Sequence, residues 1–261
     1  MISLRKMHLK KVCAVILMAW GMSSQAETCS SLKGNFGFSL EGQLVNGPPY
    51  AAVGLISIHR QSFRLELTES EGGVLLRKTV NGRVEMQDCG VTLTGSDQSL
   101  GFQLKGQIAD KGKEIFLTEI RQVKPVVASG VMRPVSMRQC SNRSLKGRFN
   151  FISQGFEHAS GAVGEWVPVG KIGKEDFDGK GCSVYEESIK QGASFSTASG
   201  RLDYQVAKNC TFELSEAGVP VFYGVMVDAG KILSYLKLTD AAARTGEYQR
   251  ADGVTALKNC R

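Results

Sequence analysis

The chain contains one short stretch twice. The copies read Cys29-Ser30-Ser31-Leu32-Lys33-Gly34-Asn35-Phe36-Gly37-Phe38 and Cys140-Ser141-Asn142-Arg143-Ser144-Leu145-Lys146-Gly147-Arg148-Phe149-Asn150-Phe151. In both, aromatic residues follow Leu-Lys-Gly at alternate positions, which is the period of a strand with one buried face. A chain of 261 residues has room for two ordinary domains, so we expect each stretch to open one β-rich domain of a tandem repeat.

The rest of the first copy is a series of short predicted strands. Tyr50 to Ile58 is apolar and β-branched, and Ser62 to Thr68 alternates apolar and polar residues. Asn81-Gly82 lies between two further runs and predicts a hairpin, because both central residues of a type I′ turn need positive φ. About eight strands with regular turn signals and no sustained helical period predict an antiparallel barrel or sandwich. Consecutive hairpins favour a closed up-and-down barrel, since closure leaves no exposed edge.

The second copy repeats this order with insertions. Its segment Trp166-Val167-Pro168-Val169-Gly170 aligns with Tyr50-Ala51-Ala52-Val53-Gly54 of the first copy. We therefore predict an all-β chain of two tandem antiparallel β-barrels with about eight strands each. The barrel domains are expected at 27–139 and 140–261. The join between them is short, which predicts that the two barrels touch.

Residues 1–26 have the pattern of a secretory signal peptide. Four basic residues precede the apolar run from Val12 to Trp20, and Ser24-Gln25-Ala26 supplies a small-x-small cleavage site. The apolar run is short for a membrane span, and an uncleaved anchor is the alternative. We therefore expect an exported protein, periplasmic or secreted, with no transmembrane segment after signal cleavage.

Six of the seven cysteines follow the leader, and an even number indicates disulfides in an exported protein. None of the six forms the close pair that a zinc site needs. Sequence alone allows many connectivities, but the repeat favours one of them, because equivalent positions should pair equivalently. The predicted bridges are Cys29–Cys89, Cys140–Cys210 and Cys182–Cys260.

The net charge of +7 comes largely from the leader. Four of the 32 Lys and Arg residues and none of the 25 Asp and Glu residues lie there, which leaves 28 against 25 and a net charge of +3. Neither domain has a basic cluster with interleaved aromatic residues. These properties argue against nucleic-acid binding, which depends on neutralising phosphates.

Catalytic and metal-binding patterns are missing from the mature sequence. His59 and His158 lie in non-equivalent parts of the two copies, and there is no H-x-H, H-E-x-x-H or G-x-S-x-G pattern. Glu186 and Glu187 are neighbours on a predicted strand, so their side chains point to opposite faces and do not form a catalytic pair. We therefore predict no catalytic residue, no metal and no cofactor.

Four motifs of the first copy are Ser31 to Phe36, Tyr50 to Gly54, Asp88-Cys89 and Asp110 to Glu114. Together they resemble a family of exported bacterial barrel domains that has no established function. The resemblance covers nearly all of the mature chain, twice over. It implies a barrel similar to lipocalins and allene-oxide cyclases, and it implies no activity.

Lipocalins carry Gly-x-Trp on the first strand and an Arg near the end that covers the ring. Here Phe36 and Phe149 stand in place of the Trp, with Arg133 and Arg250 near the ends of the two copies. A Phe ring attracts cations less strongly than a Trp ring. Two interpretations therefore stay open: a lipocalin-type pair, or ordinary core aromatics.

An eight-stranded barrel is either filled by its side chains or just wide enough for one small ligand. The loop between the first two strands usually borders the mouth, which makes Tyr50, Phe156 and Trp166 the candidate ligand-binding residues. The alternative is that Tyr50 and Trp166 only pack in the wall. Our leading hypothesis is a non-enzymatic protein that binds a small apolar ligand or an envelope protein. The alternatives are a structural module of the cell envelope with two solid barrels, and an enzyme of the barrel-cyclase kind.

Overall fold

The computed structural model describes residues 29, 32–97, 101–121, 123, 125–159, 165–239, 241–253 and 260. These residues form two closed antiparallel barrels of eight strands each, which confirms the predicted fold class. Strands pair in chain order, and the last strand of each barrel pairs back to the first. The predicted signal peptide lies outside the described residues. No helix in the described part of the chain is long and apolar enough to cross a membrane.

Barrel 1 contains strands β1 to β8, and barrel 2 contains strands β9 to β16. The first eight are β1 (Gly34–Leu44), β2 (Pro49–His59), β3 (Ser62–Glu71), β4 (Val74–Gln87), β5 (Gly90–Gly95), β6 (Phe102–Ala109), β7 (Glu114–Arg121) and β8 (Val126–Pro134). The second eight are β9 (Lys146–His158), β10 (Trp166–Asp178), β11 (Cys182–Gln191), β12 (Ser194–Val206), β13 (Thr211–Glu216), β14 (Val219–Val227), β15 (Ile232–Lys237) and β16 (Ala242–Arg250). Short 3-10 helices at Asp110–Gly112, Asn142–Leu145 and Asp228–Gly230 lie in connections.

The interior of each barrel is built from alternate residues, because successive side chains of a strand point to opposite faces. In β1, Phe36, Phe38 and Leu40 are buried inside barrel 1. In β9, Phe149 and Phe151 are buried inside barrel 2. The alternation that the sequence shows in its two opening stretches is therefore the alternation of the two cores.

The pairing of the first two strands fixes which residues of the two barrels are equivalent. Phe38 lies opposite Gly54 in barrel 1, and Phe151 lies opposite Gly173 in barrel 2. Each position needs glycine, because an added Cβ would lie 2.7 Å from the Phe38 ring or 2.6 Å from the Phe151 ring. Gly54 is therefore equivalent to Gly173, whereas the sequence alignment matches it with Gly170. A shift of three residues reverses which side chains of β10 are expected to point inward.

The predicted hairpin at Asn81-Gly82 is wrong. Strand β4 runs through both residues, and neither has a positive φ. It pairs with β3 as far as Arg83 and with β5 from Gly82 onward. A Cβ at Gly82 would lie 2.5 Å from the ring of Phe63, so the glycine makes room for a core ring. Packing inside the barrel therefore overrides the local turn preference.

The three predicted disulfides are confirmed: two join the cysteines that the repeat makes equivalent, and the third joins the two that remain. Their Cα–Cα distances are 5.3 Å for Cys29–Cys89, 4.9 Å for Cys140–Cys210 and 6.0 Å for Cys182–Cys260. The first lies within barrel 1 and the other two lie within barrel 2. None of them crosses from one barrel to the other.

One end of barrel 2 is closed by Arg250, the last residue of β16. Its guanidinium carbon lies 4.6 Å from the ring centre of Phe149. It also donates hydrogen bonds to the carbonyl oxygens of Ser144 at 2.8 Å and Gly230 at 3.2 Å. Arg133 of barrel 1 instead forms ion pairs with two glutamates. An arginine therefore covers the aromatic ring of the first strand in barrel 2, with Phe in the place of Trp.

The two barrels touch through a buried apolar face. Ala51, Val53 and Leu55 point outward from β2 and pack against Val225 and Leu236 of barrel 2. All five are buried, four of them completely. Because the outer side of β2 is covered as well as its inner side, the strand is apolar throughout, as its sequence shows.

Candidate functional site

The interior of barrel 1 is apolar along most of its length and ends in a charged cluster. Arg121 forms ion pairs with Glu69 at 2.9 Å, Glu71 at 2.8 Å and Glu119 at 2.6 Å. Tyr50 donates a hydrogen bond to Glu69 at 3.1 Å and lies under the Arg121 guanidinium. The free space beside the cluster is about 20 Å³. Barrel 1 is therefore filled by its own side chains.

The charges of this cluster compensate one another. Burial raises the pKa of Glu119. Burial acts in the same direction on Glu69, but the neighbouring Arg121 and Lys78 outweigh it and hold the pKa of that carboxyl below its ordinary value. Removal of Arg121 would leave buried carboxylates without a partner, which is strongly destabilising.

The interior of barrel 2 contains a cavity of about 50 Å³. It lies toward the end of the barrel at which β13 and β15 finish and β16 begins. Aromatic rings form much of its wall, and charged side chains point into it. The wall consists of Phe151, Lys171, Glu175, Tyr185, Glu187, Leu202, Glu216, Val221, Phe222, Tyr235, Lys237, Arg244 and Tyr248.

Four of the charged residues of this cavity occupy positions that are apolar in barrel 1, whereas Lys237 stands at the position of Glu119. The strand registers identify the equivalents, since each position can be counted from the Phe–Gly pair described above. Aliphatic side chains that fill barrel 1 are replaced by ionisable ones. The pairs, barrel 1 first, are Ala52 and Lys171, Ile56 and Glu175, Leu67 and Glu187, and Ala128 and Arg244.

Glu175 is the deepest of these groups. It is 1 % exposed, and both of its oxygens accept hydrogen bonds, one from the Ser183 hydroxyl and one from the Tyr248 hydroxyl, each at 2.5 Å. Burial raises the pKa of Glu175 to about 7, against the two hydrogen bonds, which act to lower it. Glu175 is therefore a carboxyl that gains and loses its proton near neutral pH.

Arg244 is 1 % exposed and is only partly paired. Its Nη2 lies 3.2 Å from a carboxylate oxygen of Glu157, while its Nε and Nη1 have no hydrogen-bond partner within the described structure. The neighbouring strand makes room for it with Gly155, where a Cβ would lie 2.9 Å from the Arg244 Cβ. Arg244 therefore brings three unpaired N–H groups into the interior of barrel 2.

Lys237 has no carboxylate at ion-pair distance among the residues the structure covers. Its ammonium lies 4.5 Å from the ring centre of Phe222. Burial, together with the nearby charges of Arg244 and Lys171, lowers the pKa of Lys237 to about 8. Lys171 itself is paired with Glu187 at 3.4 Å. Of the three cations in the cavity wall, Lys171 and Arg244 each have a carboxylate partner, and Lys237 has none among the described residues.

The three candidate residues from the sequence do not form one site. Tyr50 is buried in the charged cluster of barrel 1. Trp166 begins β10, packs against the face between the barrels and contacts the His158 ring at 4.1 Å. Phe156 lies on β9 one residue away from the inward series and opposite Ala243 of the covered face. Their role in ligand binding stays a prediction.

Sequence reasoning missed the residues that line the cavity. The detectable signal was a polar residue at a position that is apolar in the other copy. The alignment of Gly54 with Gly170 hid this signal, because it reverses the inward and outward faces of β10. The expectation for Glu186 and Glu187 holds: Glu187 points inward to Lys171, and Glu186 points outward to Lys174.

No protein-family model and no curated protein matches the chain. Among solved structures, the chain is similar to kievitone hydratase from Nectria haematococca, with 8 % identity over 87 % of this chain and 92 % of that chain and a TM-score of 0.30. It is also similar to transferrin binding protein B from serogroup B Neisseria meningitidis, with 8 % identity over 84 % of this chain and 75 % of that chain and a TM-score of 0.25. These values carry no argument about family or activity.

Proposed function

We propose that the protein is an exported, non-enzymatic binding protein whose ligand site is the interior of barrel 2. The observation that carries this proposal is the cavity of about 50 Å³ in barrel 2, at positions where barrel 1 is filled. Barrel 1 then serves as a solid support that packs against barrel 2 through the apolar face of β2. The alternative with two solid barrels would require barrel 2 to be filled in the same way as barrel 1.

The size of the cavity limits what enters it. A cavity of about 150 Å³ accepts a benzene ring, and this one measures about 50 Å³. It accepts a group of a few non-hydrogen atoms, either a whole small molecule or one end of a longer one. This narrows the small apolar ligand expected from the sequence to a small or elongated molecule whose terminal group enters the barrel.

Three disulfides support export, because disulfides persist in oxidising compartments. The choice between the periplasm and the extracellular space belongs to the same proposal, and fractionation of producing cells tests it. The expected result is the oxidised, processed chain outside the cytoplasm. A reduced chain that keeps residues 1–26 and stays in the cytoplasm would contradict export.

Native mass spectrometry of the oxidised mature chain tests the binding function. We expect a bound small molecule, released on denaturation, or binding from a panel of small organic molecules. The variant L202F adds a larger side chain to the cavity wall and should abolish the bound mass. The variant V221M makes a smaller change in the same wall and should reduce the bound mass without abolishing it. Absence of any bound or bindable molecule would contradict the proposal.

One observation favours a second candidate, an enzyme that uses general acid–base chemistry. Glu175 borders the cavity, accepts hydrogen bonds from Ser183 and Tyr248, and has a pKa raised to about 7 by burial. A carboxyl poised near neutral pH suits proton transfer. Incubation of wild type and E175Q with bound molecules separates the two functions. Turnover by wild type that E175Q loses would favour the enzyme, and equal binding without turnover favours the binding protein.

A further inference from the structure

We propose that the group bound inside barrel 2 is a carboxylate, and that Arg244 and Lys237 recognise it. This inference rests on the proposed binding function of barrel 2 and names the chemistry of its ligand. The carboxylate belongs either to a short free acid or to the head of a longer acyl chain. The two sources share the same recognition, and the experiment below distinguishes them.

Arg244 is buried with part of its guanidinium unpaired. A guanidinium that is 1 % exposed has two nitrogens without an acceptor among the described residues. Buried donors in folded proteins almost always have partners, and each exception calls for a missing one. Carboxylate and phosphate groups are the acceptors that arginine binds most strongly, and the small volume of the cavity favours the smaller carboxylate. The unpaired N–H groups therefore define where an anionic acceptor belongs.

The cations of the cavity wall differ in whether they have a carboxylate partner. Lys171 is neutralised by Glu187 at 3.4 Å, and Arg244 shares Glu157 at 3.2 Å. Lys237 contacts a ring face and makes no ion pair within the described residues. One added negative charge would provide an acceptor for both Lys237 and the open side of Arg244. A neutral ligand would leave Lys237 without an anionic partner.

The volume and the lining of the cavity also suit a carboxylate with an apolar tail. About 50 Å³ accommodates a carboxyl group and the carbon atoms next to it. The rings of Phe151, Phe222 and Tyr235 line the same space and suit an apolar carbon chain. Larger polyanions would need more room and more donors than the wall provides. The cavity therefore fits a monocarboxylate with an apolar tail.

The affinity should depend on pH through the charges around the carboxylate. Above about pH 8, Lys237 loses its proton and one cation disappears. Above about pH 7, Glu175 becomes a carboxylate and adds repulsion. Affinity should therefore fall steadily from pH 6 to pH 9. The ionisable groups that act on Lys237 or line the cavity with it are Lys171 and Glu175 on β10, Glu187 on β11, Glu216 on β13, Glu157 on β9 and Arg244 on β16.

The test compares each carboxylate with its neutral amide on the oxidised mature chain at pH 6. The probes are propionate and propionamide for a short acid, and octanoate and octanamide for a longer chain, measured by calorimetry. We expect each carboxylate to bind about 30-fold or more tightly than its amide, as for a buried charged pair. Equal affinity of propionate and octanoate would identify a short acid, and tighter octanoate would identify an acyl chain.

Variants locate the recognition. R244M should remove the preference for carboxylate, and K237M should reduce it about tenfold or more. The control K174M removes an outward lysine that pairs with Glu186 at 2.9 Å, and it should leave both affinities unchanged. If R244M does not fold, R244K keeps the charge and should retain the preference at lower affinity.

Each outcome decides a different claim. Equal binding of acids and amides would overturn the carboxylate inference and leave the binding function standing. Absence of binding by every probe, together with no bound mass in native spectra, would overturn both. Unchanged selectivity in R244M would show that the carboxylate is recognised elsewhere and would also overturn the inference.

Discussion

Barrel 1 and barrel 2 have the same strand order and the same pairing of a phenylalanine with a glycine. They differ in the side chains at several inward positions. Barrel 1 buries Ile56 and Leu67 where barrel 2 places Glu175 and Glu187. The shared features are those that close a barrel, namely alternation, strand register and the glycine that admits a ring. The difference shows that inward positions of a closed barrel can change from apolar to ionisable while its topology stays the same.

The placement of charge also differs between the barrels. In barrel 1 the charged groups are gathered at one end around Arg121, which has three carboxylate partners. In barrel 2 they reach further inside, and Arg244 has one. Incomplete pairing of buried charges lowers the stability of the fold. Such unfavourable arrangements are found mainly at functional sites. The following experiments exchange or remove the features that distinguish the two interiors.

The largest effect is expected from placing the barrel 2 carboxyl in barrel 1. I56E buries an ionisable group among aliphatic side chains with no partner, because Ile56 is completely buried in the apolar core. We expect a loss of about 3–5 kcal/mol in the free energy of unfolding, measured by denaturant titration. The control I56M keeps the apolar volume and should cost less than about 1.5 kcal/mol. A loss below 1 kcal/mol in I56E, taken as about the noise of surface changes, would show that barrel 1 also tolerates interior charge.

The disulfides give the second comparison. C29S with C89S removes the bridge of barrel 1, and we expect a loss of about 3–4 kcal/mol in its free energy of unfolding from the larger loop entropy of the unfolded chain. C182S with C260S removes a bridge of barrel 2 that has no counterpart in barrel 1, and Cys140–Cys210 remains. Limited proteolysis should therefore cut barrel 1 in the variant C29S with C89S. In the variant C182S with C260S it should leave most of barrel 2 intact. Equal protection of both barrels in the first variant would contradict independent stapling.

The pH dependence of stability gives the third. Because burial raises the pKa of Glu175 from 4.5 to about 7, the folded state holds this proton more tightly than the unfolded state. Stability from this group is complete below pH 4.5 and is lost as the pH rises through 7, by about 3 kcal/mol in total. E175Q should remove that part of the pH dependence. The free energy of unfolding of E175Q should therefore rise relative to that of wild type from pH 5 to pH 8. A constant difference would mean that Glu175 is not buried as described.

The smallest effect is expected from R244M. Replacing an incompletely paired buried ion by an apolar side chain of similar length is often neutral or stabilising. We expect a change of less than about 1 kcal/mol in the free energy of unfolding, measured by denaturant titration. A large loss would show that Arg244 holds the barrel together, as Arg121 does in barrel 1, rather than facing a ligand.

Much of the fold could be predicted from local pattern. The alternation of Phe36, Phe38 and Leu40 indicates a strand with one buried face, and the equivalent cysteines of the two copies indicate two of the three bridges. The continuation of β4 through Asn81-Gly82 could not be predicted, because the need for glycine there comes from the ring of Phe63 on another strand. Contacts between strands decide such positions, and a local window does not contain them.

Identification of the candidate site depended on the register of β10. The sequence alignment of the two copies placed this strand three residues away from its position in the structure. With Gly54 matched to Gly173, Glu175 falls on the inward series opposite an aliphatic core position. With Gly170 it falls on the outer face, where a glutamate is unremarkable. A difference of an odd number of residues exchanges the two faces of a strand. The interior charges of barrel 2 therefore became visible only once the pairing of β9 and β10 was known.

The most direct test of the central claim is a crystal structure of the oxidised mature chain grown with propionate. We expect a carboxylate inside barrel 2 within hydrogen-bond distance of Arg244 Nε or Nη1, and an interior of barrel 1 closed by Tyr50 and Arg121. A barrel 2 filled by its own side chains, or propionate bound equally inside barrel 1, would contradict it.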